Sequence, residues 1–181
     1  MLGVPAKGVL CALHGMKQVP GRMESVPLGE YADFRVLIDY AHTPDALEKL
    51  LRSVSELIEE QGRILLLFGC GGDRDRSKRR EMAHIASRFA DFVILTSDNS
   101  RTEDPSAILA DIERGMDKEK PYTVIEDRKE AIAFGLSLCR RNMRYNKFRA
   151  VVGAFRRYKY SSYSLNLRQI IVIYAGGNIV G

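Results

Sequence analysis

The chain has 181 residues with 28 Lys+Arg against 23 Asp+Glu, a formal net charge of +5, and is 45% hydrophobic, which suits one domain with a sizeable core. Six prolines, ordinary apolar content and three scattered cysteines exclude a disordered chain, a collagen and a disulfide scaffold. No run approaches the roughly 18 apolar residues of a membrane helix, the opening MLGVPAKGVLCALHGM does not read as a signal peptide, and the unpaired Cys11, Cys70 and Cys139 point to a reducing cytoplasm.

From Arg35 onward, short apolar runs alternate with amphipathic stretches, the pattern of a Rossmann-like three-layer α/β domain with a mostly parallel sheet flanked by helices. RVLIDY (35–40) predicts a buried strand. Thr43 follows as N-cap, with Pro44 at the first helical position. Leu47, Leu50, Leu51, Val54, Leu57 and Ile58 recur at three- and four-residue spacings, predicting a helix with one apolar face that ends near Gln61-Gly62. RILLLFG (63–69) is an unbroken apolar run, as a strand covered on both faces requires. A helix over 77–89 turns Met82, Ile85, Ala86 and Phe89 inward, FVILTSD (92–98) is a third strand, and Asp104-Pro105 opens a helix to about Met116. YTVIED (122–127) and 128–138 predict a fourth strand and helix, and FRAVVGAF (148–155) is the apolar run nearest to hand for a further strand.

Each of the first three strands ends in polar residues: Asp39 to His42, Gly69 to Arg76, and Ser97 to Glu103. In open α/β sheets ligands bind beyond the carboxyl ends of strands, so these loops are expected on one rim. FGCGGDRDRSKRR (68–80) joins a glycine turn to guanidinium groups suited to carboxylates or phosphates. It matches neither the phosphate loop GxxxxGK[ST] nor GxGxxG. DYAHTPD (39–45) sets a carboxylate and an imidazole at a strand end, where a ribose contact for Asp39 and a capping role for His42 both remain open. In SDNSRTEDP (97–105) an Asx turn accounts for Asp98 and Asn99, and leaves Arg101 placed to clamp an anionic or zwitterionic ligand. His14, His42 and His84 sit in unrelated segments with no metal-ligand spacing, so no metal site is expected.

In the order VPGRME, DYAHTPDALEKL, FGCGGDRDRSKR and TSDNSRTEDP, these segments resemble the C-terminal domain of the Mur ligases over about residues 1–142, within them the branch that adds diaminopimelate. The resemblance implies an ATP-dependent amide ligase that joins meso-diaminopimelate to UDP-N-acetylmuramoyl-L-alanyl-D-glutamate through an acyl phosphate, in peptidoglycan synthesis. It implies that Arg22, Asp39 and His42 surround the nucleotide, and that Arg74, Asp98, Asn99 and Arg101 receive diaminopimelate. Lysine-adding relatives lack an arginine at the position of Arg101, so the loop favours diaminopimelate, although Ser100 replaces the usual proline. No catalytic residue is carried over. The phosphate loop, the Mg²⁺ ligands and a modified lysine belong to the family's central domain, so this chain alone is expected to be inactive. The implied division is 1–30 as the end of that domain and a linker, 31–142 as the C-terminal domain, and 143–181 as an atypical tail.

The tail departs from the family. The last 51 residues after Glu130 hold nine basic residues and no acidic one, which leaves 19 basic against 23 acidic side chains before them, and five of the eight tyrosines lie there. Strand or helix rhythm is weak until about Ile170, and no GKGHE motif occurs. A reading-frame slip near Asn142 accounts for this change of texture, and predicts that residues beyond about Arg156 pack poorly. Two other readings compete: a non-catalytic domain binding an amino acid or nucleotide, and a nucleic-acid binder using the basic tail. Of these partners the small molecules are favoured, with neither nucleic acid nor membrane expected.

Overall fold

The computed structural model describes residues 5–16, 18–28, 34–58, 62–142 and 170–175. In chain order the elements are α1 (Ala6–Gly15), β1 (Glu24–Val26), β2 (Phe34–Asp39), α2 (Pro44–Leu57), β3 (Arg63–Phe68), α3 (Ser77–Phe89), β4 (Phe92–Leu95), α4 (Pro105–Glu113), β5 (Tyr122–Val124), α5 (Arg128–Asn142) and β6 (Ile170–Ala175). The strands form one sheet in the order β1-β2-β6-β3-β4-β5. β3, β4 and β5 pair in parallel, whereas β6 is antiparallel to both β2 and β3, so β2 runs the same way as β3. The sheet is therefore mixed, with four strands aligned and β1 and β6 opposed.

The three layers follow from the pleat of β3, where successive side chains point to opposite faces. Ile64, Leu66 and Phe68 join Leu47, Leu51 and Val54 of α2, Met82 and Ala86 of α3, and Ile112 of α4 on one face. Leu65 and Leu67 join Ile94 of β4 with Ala131, Leu138 and Cys139 of α5 on the other. Every residue from Ile64 to Phe68 is at most 2% exposed, and that two-sided burial is why the run has no polar alternation.

Thr43 caps α2 as its sequence demands, with Oγ1 accepting from the Ala46 N–H at 3.3 Å and Pro44 opening the first turn. The helix stops at Leu57, short of the expected end, and Leu57 is exposed. Phe89, expected inward, is half-buried: it packs against the core, and Arg52 and Arg88 lie over its ring at 5.4 and 5.0 Å. α1 was not signalled by the sequence, and none of its residues is buried. The proposed strand at 148–155 lies outside the described residues. The tail beyond Arg156 supplies β6 at the centre of the sheet, paired from Phe34↔Ala175 to Asp39↔Ile170 on one side and from Arg63↔Ala175 to Leu67↔Ile171 on the other. For that segment the expectation of poor packing is corrected: IIVIYA is an unbroken, largely β-branched run of the kind an interior strand needs.

Candidate functional site

The parallel alignment of β2, β3 and β4 brings their carboxyl-end loops to one rim. The Lys78 Nζ donates to the His42 carbonyl at 3.3 Å, linking the first loop to the second. The Gly72 N–H donates to the Asn99 carbonyl at 2.9 Å, linking the second to the third. A Cβ on Gly72 would overlap the Ser100 carbonyl oxygen, so only glycine lets these two backbones meet.

Arg74, Asp98, Asn99 and Arg101 lie within this second pair of loops. Asp73 and Arg101 both have φ near 51°, a conformation costly for residues with a side chain, so surrounding bonds must hold them. Those bonds are present. The Asp73 carboxylate accepts from Thr102 Oγ1 at 2.7 Å and from the Thr102 N–H at 3.2 Å, while the Asp73 N–H donates to Glu103 Oε1 at 2.6 Å. The Arg101 N–H donates to Asn99 Oδ1 at 3.3 Å, and the Asn99 N–H donates to Asp98 Oδ1 at 2.7 Å. Asn99 and Asp98 thus shape the turn through their side-chain oxygens. Arg74 is exposed. Among the described residues it has no hydrogen bond or ion pair.

Beneath these loops lies a residue whose part the sequence reading missed. Arg79 is 0% exposed and forks onto Glu103, with Nη2 to Oε1 at 2.7 Å and Nη1 to Oε2 at 3.1 Å, while Nη1 also reaches Asp111 Oδ2 at 2.9 Å. Hydrogen bonding from Arg79 holds the Glu103 carboxyl down to about 2, and lowers that of Asp111 as well. The signal was available: Arg79 stands three residues before Met82 and seven before Ala86, on the inward stripe of α3. From the opposite face Arg128, 7% exposed, donates to the Ser97 carbonyl at 3.0 Å, and burial lowers its pKa despite the nearby Asp98 charge.

Arg22, Asp39 and His42 gather at the other end of the rim. Asp39 splits its carboxylate between the Met23 N–H and the Ala41 N–H, each at 2.8 Å, which ties the 21–23 connector to the end of β2. Arg22 lies over the Tyr40 ring at 5.2 Å, and the Tyr40 and His42 rings are 5.2 Å apart at 59°. The sequence reading passed over Tyr40, which is 40% exposed between two cationic or potentially cationic groups. Among the described residues no three His, Cys, Asp or Glu side chains are grouped to hold a metal ion.

The profile of the family described as Mur ligase, glutamate ligase domain, matches residues 21–145. The chain belongs to this family. Among curated proteins, this Mur ligase domain is 49% identical over 140 residues to the UDP-N-acetylmuramoyl-L-alanyl-D-glutamate–2,6-diaminopimelate ligase of Syntrophomonas wolfei, covering 76% of this chain and 28% of that protein. It is 52% identical over 131 residues to the protein of the same name from Synechococcus elongatus, covering 72% and 26%. The chain therefore spans about a quarter of the length of these relatives. A solved structure of a UDP-N-acetylmuramoyl-L-alanyl-D-glutamate–2,6-diaminopimelate ligase superposes with a TM-score of 0.56 at 41% identity, over 73% of this chain and 26% of that one. The Mycobacterium tuberculosis folylpolyglutamate synthase complexed with ADP and AMPPCP shares the fold, with a TM-score of 0.55 at 20% identity, over 75% and 29%. The Rossmann-like class is thus the Mur ligase C-terminal fold.

Proposed function

We propose that this domain is the amino-acid-presenting part of an ATP-dependent ligase that adds meso-diaminopimelate to UDP-N-acetylmuramoyl-L-alanyl-D-glutamate in the cytoplasm. The observation that carries the reading is the pair of stitched loops: Arg74 and Arg101 stand on two turns bound to each other, with Asp98 and Asn99 beside them. Diaminopimelate carries a second amino-acid head group, and its distal carboxylate suits a bidentate guanidinium while its distal ammonium suits a carboxylate or amide oxygen. The names of the relatives at 49–52% identity support the same substrate.

In this reading a substrate carboxylate oxygen attacks the γ-phosphorus of ATP and ADP departs. The amine nitrogen of diaminopimelate then attacks the acyl carbon, phosphate leaves, and the nitrogen loses a proton. The chain's own residues hold the amine donor. Arg22, Asp39 and His42, with the Tyr40 ring, form the nucleotide side, where a guanidinium meets phosphate charge and an exposed ring offers a stacking face. Mg²⁺ belongs with segments other than those described, and no step is assigned to it. The division we take is residues 1–30 as the end of a preceding domain and linker, 31–142 as the C-terminal domain and 143–181 as a basic tail, with β1 and β6 adding strands to the domain's sheet from the segments on either side; the family match over 21–145 begins ten residues before that domain and ends close to its end.

Calorimetric titration with meso-diaminopimelate and with lysine tests the substrate, and diaminopimelate is expected to bind more tightly. Arg101→Ala should cost diaminopimelate about 1.5–3 kcal/mol, the worth of a charge-assisted pair. Equal binding of lysine, or an Arg101→Ala variant with unchanged affinity, overturns the assignment. The chain alone should release no ADP from ATP, because stabilising a transferring phosphoryl group needs a phosphate loop and Mg²⁺.

A further inference from the structure

Arg79 poses a question that core packing does not answer. A fully buried guanidinium is dear to desolvate, and replacing a whole buried ion pair by apolar residues of similar volume is often neutral or stabilising, so such a pair is weak evidence for stability even though removing one partner alone is costly. What this one does is geometric. Its fork takes both oxygens of Glu103 and one of Asp111, and it faces the Gly71 carbonyl at 3.5 Å. Glu103 in turn accepts from the Asp73 N–H at 2.6 Å and pairs with Arg76 at 3.0 Å. One carboxylate at the end of the third loop thereby grips the second loop at two points, and is itself held by Arg79 from α3 below both.

The consequence falls on the two guanidiniums above. Arg74 follows Asp73 directly, and the Arg101 Nη1 lies 3.4 Å from the Asp73 carbonyl. Asp73 and Arg101 are the two strained backbone positions of these loops, and both are one or two residues from a group that Arg79 or Glu103 holds. We propose that Arg79 and Glu103 are positioning residues that lock the 70–76 and 98–103 loops into one unit, fixing the separation and direction of Arg74 and Arg101 for the far carboxylate of an amino-acid ligand. The identity of that ligand rests on the diaminopimelate reading; the lock itself does not.

The test uses the full chain as wild type, Glu103→Gln and Arg79→Lys, each followed by amide hydrogen exchange and by titration with meso-diaminopimelate and lysine. The Glu103 side chain is 13% exposed against 0% for Arg79 and glutamine keeps its shape, so Glu103→Gln is the milder variant and carries the test where Arg79→Lys fails to fold. In Glu103→Gln, exchange over 70–76 and 98–103 should rise together by about tenfold or more, with β3 and β4 amides unchanged. The preference for diaminopimelate over lysine should fall in the same samples, which loss of general stability alone would not produce. Faster exchange in one loop only, or equally in β3 and β4, overturns the lock. So does an unchanged preference in a chain whose loops have loosened. A wild-type chain that shows no diaminopimelate binding while the loops loosen together overturns the substrate reading and upholds the lock.

Discussion

The Arg74–Arg101 side of the rim is held from below by a buried guanidinium with two carboxylates, whereas the Arg22–His42 side is held by one partly buried carboxylate bridging two backbone N–H groups. Each holds residues in the left-handed region, Asp73 and Arg101 in the first arrangement and Met23 in the second. The second leaves Arg22, Tyr40 and His42 at the surface, in contact mainly with one another. Pre-organisation of this kind reduces the ordering cost of binding and sharpens discrimination between similar ligands. Ligands that differ only in a distal head group demand that discrimination, as the amino-acid role proposed for the Arg74–Arg101 side requires.

Arg79→Met should break the comparison most severely. It strands Glu103 and Asp111 without their buried partner, at a cost of about 3–5 kcal/mol, read from the shift in urea midpoint. On the other side, Asp39→Ala removes the acceptor of two backbone N–H groups and should cost about 1–2 kcal/mol. An Asp39→Ala loss equal to that of Arg79→Met would erase the distinction between the two sides.

Acid should act on the Arg74–Arg101 side by a sign that the charges fix. The Glu103 carboxyl titrates at about 2 in the fold, below its ordinary 4.5, because Arg79 and Arg76 and the Asp73 N–H favour its charged form. Its contribution is therefore complete above about 4.5 and lost as pH falls through 2. Asp111, facing Arg79, Arg76 and Arg114, shifts in the same direction. Loop amides over 70–76 and 98–103 should hold their protection from pH 7 to 5, with exchange corrected for its intrinsic pH dependence, and lose it between about 4.5 and 2.

The smallest effect is chemical. Cys70, at the root of the locked loop beside the Met82 sulfur at 3.9 Å, has its thiol pushed up to about 11 by burial, and Cys139 is pushed up to about 12 by the same cause. Cys11 is exposed. Iodoacetamide at pH 8 should label Cys11 first, and early labelling of Cys70 would mean that the loop opens readily.

How much of this the sequence revealed depended on how local the cause was. Thr43-Pro44 at the start of α2 and the apolar run of β3 contain their own explanation, so both were legible. The shared rim followed from strand polarity, whereas the glycine turn, read as room for an anionic ligand, serves at Gly72 to let two loops meet. Arg79 was hidden because it sits in a run of cations, where a charge that dives inward looks like its neighbours until the helix phase is counted. Its partners Glu103 and Asp111 lie 24 and 32 residues away, a pairing no spacing rule reaches. β6 was obscured for a different reason: the basic, tyrosine-rich stretch ahead of it suggested a tail without structure, and a strand's place in a sheet is decided by tertiary pairing.

That place has a consequence for how the chain assembles. β2 and β3 never touch as strands, since both pair with a segment that begins 131 residues after the end of β2 and 102 after the end of β3. During synthesis β1-β2 and β3-β4-β5 can form only as two separate ladders with raw inner edges, and the sheet closes last, at its middle. Such late, long-range closure slows folding and prolongs the exposure of unpaired strand edges, so the order of translation makes Ile170–Ala175 the keystone laid after both halves of the arch are standing.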